Sequence, residues 1–143
     1  MTKVNVEERA NMAVSLFCEG YNCAQAVYVT FSDIMGLDKT LASRIIGSFG
    51  GGIGKMHETC GTVSGMVAVI SMLHDTSNNK VAADKVKNYE YVRSVVEKFR
   101  EQNKSIVCRE LRSDAAVEKI SCKELVRRAS IIISEHINSL EEA

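Results

Sequence analysis

Five cysteines, Cys18, Cys23, Cys60, Cys108 and Cys122, are the side chains in this sequence best suited to chemistry. An odd number of thiols does not read as a simple secreted disulfide framework. That leaves buried inert thiols, metal ligands or reactive redox groups. Three of the five follow a residue that caps helices: Asn22 before Cys23, Thr59 before Cys60 and Ser121 before Cys122. A first helical residue sits among unpaired N–H groups at the positive end of the helix dipole. Such a position lowers a thiol's pKa, and the thiolate is both nucleophile and metal ligand. The competing reading is inert burial, because cysteine packs like a small hydrophobe. Cys18, beside Leu16 and Phe17, is expected to pack.

The spacings exclude familiar sites. There is no C-x-x-C, so neither a thioredoxin-like motif nor a zinc ribbon is present. Cys18-x4-Cys23 begins like a plant-type ferredoxin run, but the next cysteine of that run would fall at Ala26. A site must therefore be assembled from separate helices.

The glycine-rich stretch Gly47-Ser48-Phe49-Gly50-Gly51-Gly52-Ile53-Gly54-Lys55 is not a P-loop. It has Phe49 where glycine is needed and Met56 where serine or threonine is needed. It reads as a tightly turned backbone next to Cys60, with N–H groups free to bind sulfur, a cluster or an anion. Gly52, Gly54 and Gly61 are the candidate backbone contacts to a bound cofactor. His57 is a candidate proton acceptor or ligand, weighed against simple solvation. His74 and His136 read as structural.

The elements that must position these residues are helical. Proline is absent, and no stretch alternates as a strand would. The spacing predicts a helix over 6–17 capped by Asn5 and stopped by Gly20. A second helix begins with a capping box, Asn22 with Gln25, runs through Phe31 and Ile34, and stops at Gly36. A short helix covers 39–46 after Asp38. Cys60 to Leu73 is the most apolar helix and is placed at the centre of the fold, where Gly61 and Gly65 admit a close neighbour. A polar turn over 75–79 leads to an amphipathic helix over 81–102, with Val81, Val92, Val95, Val96 and Phe99 inward. A short helix holds Cys108 and Leu111, the segment 113–120 is ambiguous, and a last helix runs from a capping box at Ser121 to about Leu140.

The fold class read from this pattern is all-α. The expected architecture is a single domain over 1–143, a helical bundle of about five to seven helices with a glycine-rich loop before a buried central helix. Its 143 residues suffice to bury a core without a disulfide or metal. Lysine plus arginine equals aspartate plus glutamate at 18 each, which argues against nucleic-acid binding. No signal core follows the start, and the longest apolar run, 66–73, is too short for a membrane span. The expected location is the cytoplasm.

At these residues the sequence resembles the small redox-active proteins named for the signature C_GCAxxG_C_C. The matching stretches are Gly20 to Val27, Gly50 to Gly54, Cys60-Gly61-Thr62-Val63-Ser64-Gly65, Cys108-Arg109-Glu110-Leu111, and Cys122. The resemblance covers about residues 10–140. It implies that Cys23, Cys60, Cys108 and Cys122 are the signature cysteines and leaves Cys18 outside the set. Thr62 departs from the signature, which has alanine there, and puts a hydroxyl near Cys60. The implied function is redox. Cys23, Cys60, Cys108 and Cys122 would act either as exchanging thiols or as ligands to an iron–sulfur cluster or another thiophilic metal, with a redox partner protein or a small-molecule electron donor. The alternative is a helical protein–protein interaction module with structural cysteines, for which Tyr89, Tyr91 and Val92 offer a homodimer surface.

Overall fold

The computed structural model describes residues 2–74, 80, 82–113 and 119–142. The expected turn over 75–79, the inward placement of Val81 and most of the ambiguous segment 113–120 lie outside the described residues. Among the described residues there are eight α-helices and no strand, one more helix than the upper end of the sequence expectation.

Helix α1 (Val6–Glu19) starts where Asn5 Oδ1 accepts the Glu8 N–H at 2.9 Å. It ends at Gly20, whose φ of 114° only glycine adopts without strain. Ala10, Ala13 and Leu16 form its buried face, against α8 (Cys122–Glu142). Helix α2 (Cys23–Thr30) opens with the complete Asn22/Gln25 capping box. The same two side chains reach the next element: Asn22 Nδ2 donates to the Gly47 carbonyl, and Gln25 Nε2 to Ser43. This fixes the start of α2 against α4 (Lys39–Ile46), itself capped by Asp38.

The sequence predicts one helix through Ile34, but the chain breaks at Phe31 and restarts as α3 (Ser32–Met35). The cause is local competition for carbonyls. Thr30 Oγ1 bonds back to the Ala26 carbonyl, and the Arg9 guanidinium donates to the Thr30 carbonyl at 2.8 Å and to both Asp33 oxygens.

Helix α5 (Gly61–Leu73) packs against α2, α6 (Ala82–Asn103) and α8. A Cβ on Gly65 would stand 2.8 Å from the Ala24 carbonyl oxygen, so glycine is what allows α2 and α5 to touch. Phe31, Met66, Ile70, Phe99, Ile132 and Ile137 are almost wholly buried where these helices meet. Each contributes about 1.5–3 kcal/mol on burial. On α6, Val95 and Phe99 are buried and Val92 and Val96 half-buried, as their spacing predicts.

At the far end of α5, the His74 ring stacks on Tyr91 at 3.8 Å, and its Nε2 lies 2.9 Å from Nε2 of buried His136. One imidazole must donate and the other accept. Burial, with His74 and Lys98 nearby, pulls His136 down to about 4. Tyr91 and Val92 are thus turned toward the core, and of the expected homodimer surface only Tyr89 remains well exposed.

No helix among the described residues is long and apolar enough to cross a membrane.

Candidate functional site

Two loop segments form the base of the site. The Cys60 N–H donates to the Ile106 carbonyl at 2.7 Å, the Cys108 N–H to Glu58 at 2.6 Å and the Arg109 N–H to His57 at 3.1 Å. This is a short antiparallel pairing with Thr59 opposite Val107. It overrides the expected cap at Thr59: Cys60 is itself the residue flanking α5, and Gly61 is the first helical residue. Cys108 begins α7 (Cys108–Leu111), a helix start the sequence reading did not single out. Cys23 and Cys122 begin α2 and α8 as expected. Ser121 Oγ accepts the Glu124 N–H, but the Glu124 carboxylate is engaged by Arg127 and Arg128.

Cys23, Cys60, Cys108 and Cys122 line one cavity, together with Gly61, Thr62 and Arg112. Gly51, Leu111 and Leu125 complete its wall. It leaves about 30 Å³ open to the centre of a water molecule, enough for roughly one or two waters. All the cysteines are free thiols. Cys18 is exposed on α1 and does not line the cavity, so its expected packing role does not hold. His57 is likewise exposed and off the cavity wall.

Two glycines allow backbone to approach sulfur-bearing side chains. A Cβ on Gly61 would meet Cys23 Sγ at 2.5 Å, and one on Gly52 would meet Cys108 Cβ at 2.8 Å. Gly54 has nothing within 4 Å of such a position. The loop turns left-handed: every residue from Gly51 to Lys55 has positive φ, Ile53 and Lys55 included, and so does His57. Non-glycine residues in that region cost on the order of 1–3 kcal/mol each.

At Cys60 and Cys122 burial overturns the expectation of stabilised thiolates. Burial pushes the Cys60 thiol up to about 11, and the Thr62 hydroxyl, 3.0 Å from Cys60 Sγ, offsets only part of this. Burial also raises Cys108 and Cys122, with the Arg112 charge opposing it at both. A helix dipole is worth about 0.3–1 kcal/mol in its usual exposed setting. The rise at Cys60 from 9.0 to about 11 corresponds to roughly 3 kcal/mol, so desolvation wins. Cys23 is near enough that a negative charge on it would raise each of the other three.

Four thiols are the right donor type for a thiophilic metal. Their placement does not form a single-ion site: among the described residues no three His, Cys, Asp or Glu side chains converge closely enough to hold one ion.

Arg112, which lines the cavity, is a residue the sequence reading did not single out. It stands one helical turn after Cys108, and that i, i+4 spacing was the available signal.

Fold and cavity together define an all-helical protein that gathers four free thiols, three from the first residues of α2, α7 and α8 and one, Cys60, from the residue flanking α5. Residues 21–136 match the family described as "Putative redox-active protein (C_GCAxxG_C_C)", and the chain belongs to that family. No curated protein and no solved structure matches it.

Proposed function

We propose that the protein is a thiol–disulfide redox module whose exchanging sulfurs are drawn from Cys23, Cys60, Cys108 and Cys122. The supporting observation is the single small cavity these four side chains share. In one turnover, two cavity thiols and one external disulfide become an internal disulfide and two external thiols. The S–S bond of the partner breaks, one forms in the protein, and two electrons and two protons pass to the partner. The partner is a redox protein or a small-molecule electron carrier. Cys60, with its thiol held near 11, contributes little thiolate at neutral pH and enters last. Gly52 and Gly61 let backbone lie close against Cys108 and Cys23.

The test is purification without oxygen, followed by thiol counting by alkylation and mass spectrometry across a series of reduced and oxidised dithiothreitol buffers. The expected result is a reversible loss of alkylated sites in pairs, confined to the four cavity cysteines. Bound iron with acid-labile sulfide and visible absorption would replace this reading with cluster-based electron transfer. Thiols that stay reduced at every ratio, with Cys60→Ser leaving folding and association intact, would replace it with the helical interaction module.

A further inference from the structure

The four cavity thiols differ in access and in what carries them. Cys23 and Cys122 are half-buried, whereas Cys60 and Cys108 are 5% and 6% exposed. The backbone divides the same way. Cys23 and Cys122 are the first residues of α2 and α8, two helices that pack on each other. Cys60 and Cys108 stand instead on the two loop segments paired at Thr59 and Val107, and their own N–H groups make two of the hydrogen bonds of that pairing.

The two pairs nonetheless face one space. All four side chains line the same cavity, whose open volume is only about 30 Å³. A negative charge on Cys23 would be felt at Cys60 and Cys108 as well as at Cys122. Thiol–disulfide exchange needs an attacking sulfur that can reach the S–S bond, so access selects which thiols meet an external disulfide. The half-buried pair satisfies that condition and the buried pair does not. The buried pair borders the half-buried one, so a disulfide formed there lies beside it.

We propose that the cavity is a two-tier thiol store: Cys23 and Cys122 are the outer pair that exchanges with an external disulfide, and Cys60 and Cys108 are the inner pair, oxidised by the outer one. The inference rests on the thiol–disulfide reading above and deepens it. One outer sulfur attacks the external disulfide and displaces a thiolate, which takes up the proton that outer thiol has lost. The second outer thiol attacks the resulting mixed disulfide, the outer disulfide forms, and the other external thiolate leaves and is protonated. An inner sulfur then attacks the outer S–S bond, and the remaining inner thiol closes the Cys60/Cys108 disulfide. Two electrons and two protons move from the inner pair to the outer pair, which is a dithiol again. A second external disulfide can then be reduced, so each chain holds two disulfides when fully oxidised.

The experiment treats the reduced full chain, without oxygen, with excess hydroxyethyl disulfide, quenches with acid at intervals, alkylates the remaining thiols and maps internal disulfides by mass spectrometry. The expected first internal disulfide is Cys23/Cys122, with Cys60/Cys108 following after a lag and two disulfides per chain at the end. Cys18→Ser leaves this course unchanged. In the double variant Cys23→Ser with Cys122→Ser, the Cys60/Cys108 disulfide forms slower by about tenfold or more, because the probe must reach buried sulfur directly. The order of appearance in the parent chain decides the matter even where that variant does not fold. A first internal disulfide that contains Cys60 or Cys108, oxidation that stops at one disulfide per chain, or a folded double variant that closes Cys60/Cys108 at the parent rate overturns the two tiers. In each of those cases the thiols still exchange, and the parent reading stands without them. A chain that forms no internal disulfide, with this probe or in dithiothreitol buffers, overturns both.

Discussion

Replacing Gly61 with alanine sets two effects of known sign against each other. In a helix, alanine is favoured over glycine by about 1 kcal/mol. At this position the new methyl would lie 2.5 Å from Cys23 Sγ, 3.0 Å from the Phe49 carbonyl oxygen and 3.3 Å from the Ala24 nitrogen. The sulfur can swing aside, but the two backbone atoms cannot without moving the glycine loop or α2. Overpacking of this kind costs about 1–3 kcal/mol. The net expectation is a loss of up to about 2 kcal/mol together with a displaced Cys23. Two companion variants separate the causes. Gly65→Ala meets the Ala24 carbonyl oxygen at 2.8 Å and should destabilise without touching a thiol. Gly54→Ala meets nothing within 4 Å but must hold φ near +54°, a cost of about 1–2 kcal/mol. The assay is urea unfolding of the reduced proteins, with the Cys23 alkylation rate measured in parallel. Only Gly61→Ala should change both. A Gly61→Ala protein as stable as the parent, with Cys23 alkylating at the parent rate, would refute the packing of sulfur against the start of α5.

Further expectations follow from buried groups. Unfolded Cys60 ionises near 9.0 and folded Cys60 near 11, so the native state keeps a proton the unfolded chain has lost. Stability should therefore fall as pH rises through that window, by up to roughly 3 kcal/mol, and Cys60→Ala should flatten the decline in a denaturant titration run from pH 8 to 11. Thr62→Val removes the hydroxyl that favours the Cys60 thiolate. Alkylation of Cys60 at pH 9 should slow, and an unchanged rate would deny that hydrogen bond a role. His136 is held down from 6.5 to about 4, so the unfolded chain binds the extra proton first as pH drops. The stability it contributes is complete above 6.5 and is lost as pH falls toward 4, again by roughly 3 kcal/mol. Melting temperatures at pH 7 and 5 should diverge in the parent and converge in His136→Asn.

The helix starts were legible because their signals are local. Asn5, Asn22 with Gln25, and Asp38 cap through side chains that reach only three residues ahead, and Gly20 and Gly36 stop helices through their own φ. The failures share the opposite character. Thr59 has a capping side chain, but its backbone is paired with Val107, far along the chain, and this shifts the start of α5 by one residue. The break at Phe31 depends on Arg9, from another helix, taking the Thr30 carbonyl. The cysteines show the same division. Their positions at or beside helix starts are written in the adjoining residues, but the sign of their pKa shifts is set by burial, which no short window of sequence contains. Gly54 and Gly52 are alike in sequence, and only the approach of Glu58, His57 and Cys108 to Gly52 distinguishes them.

The pairing of 57–60 with 106–109 also bears on how the native state opens. It joins the segments that flank the α5–α6 stretch of the chain. The amides of Cys60 and Cys108 belong to one cooperative unit, and their hydrogen-exchange protection should vanish at a single free energy. Two sulfur-bearing residues nearly fifty positions apart are thereby hinged on the same latch, which releases both or neither.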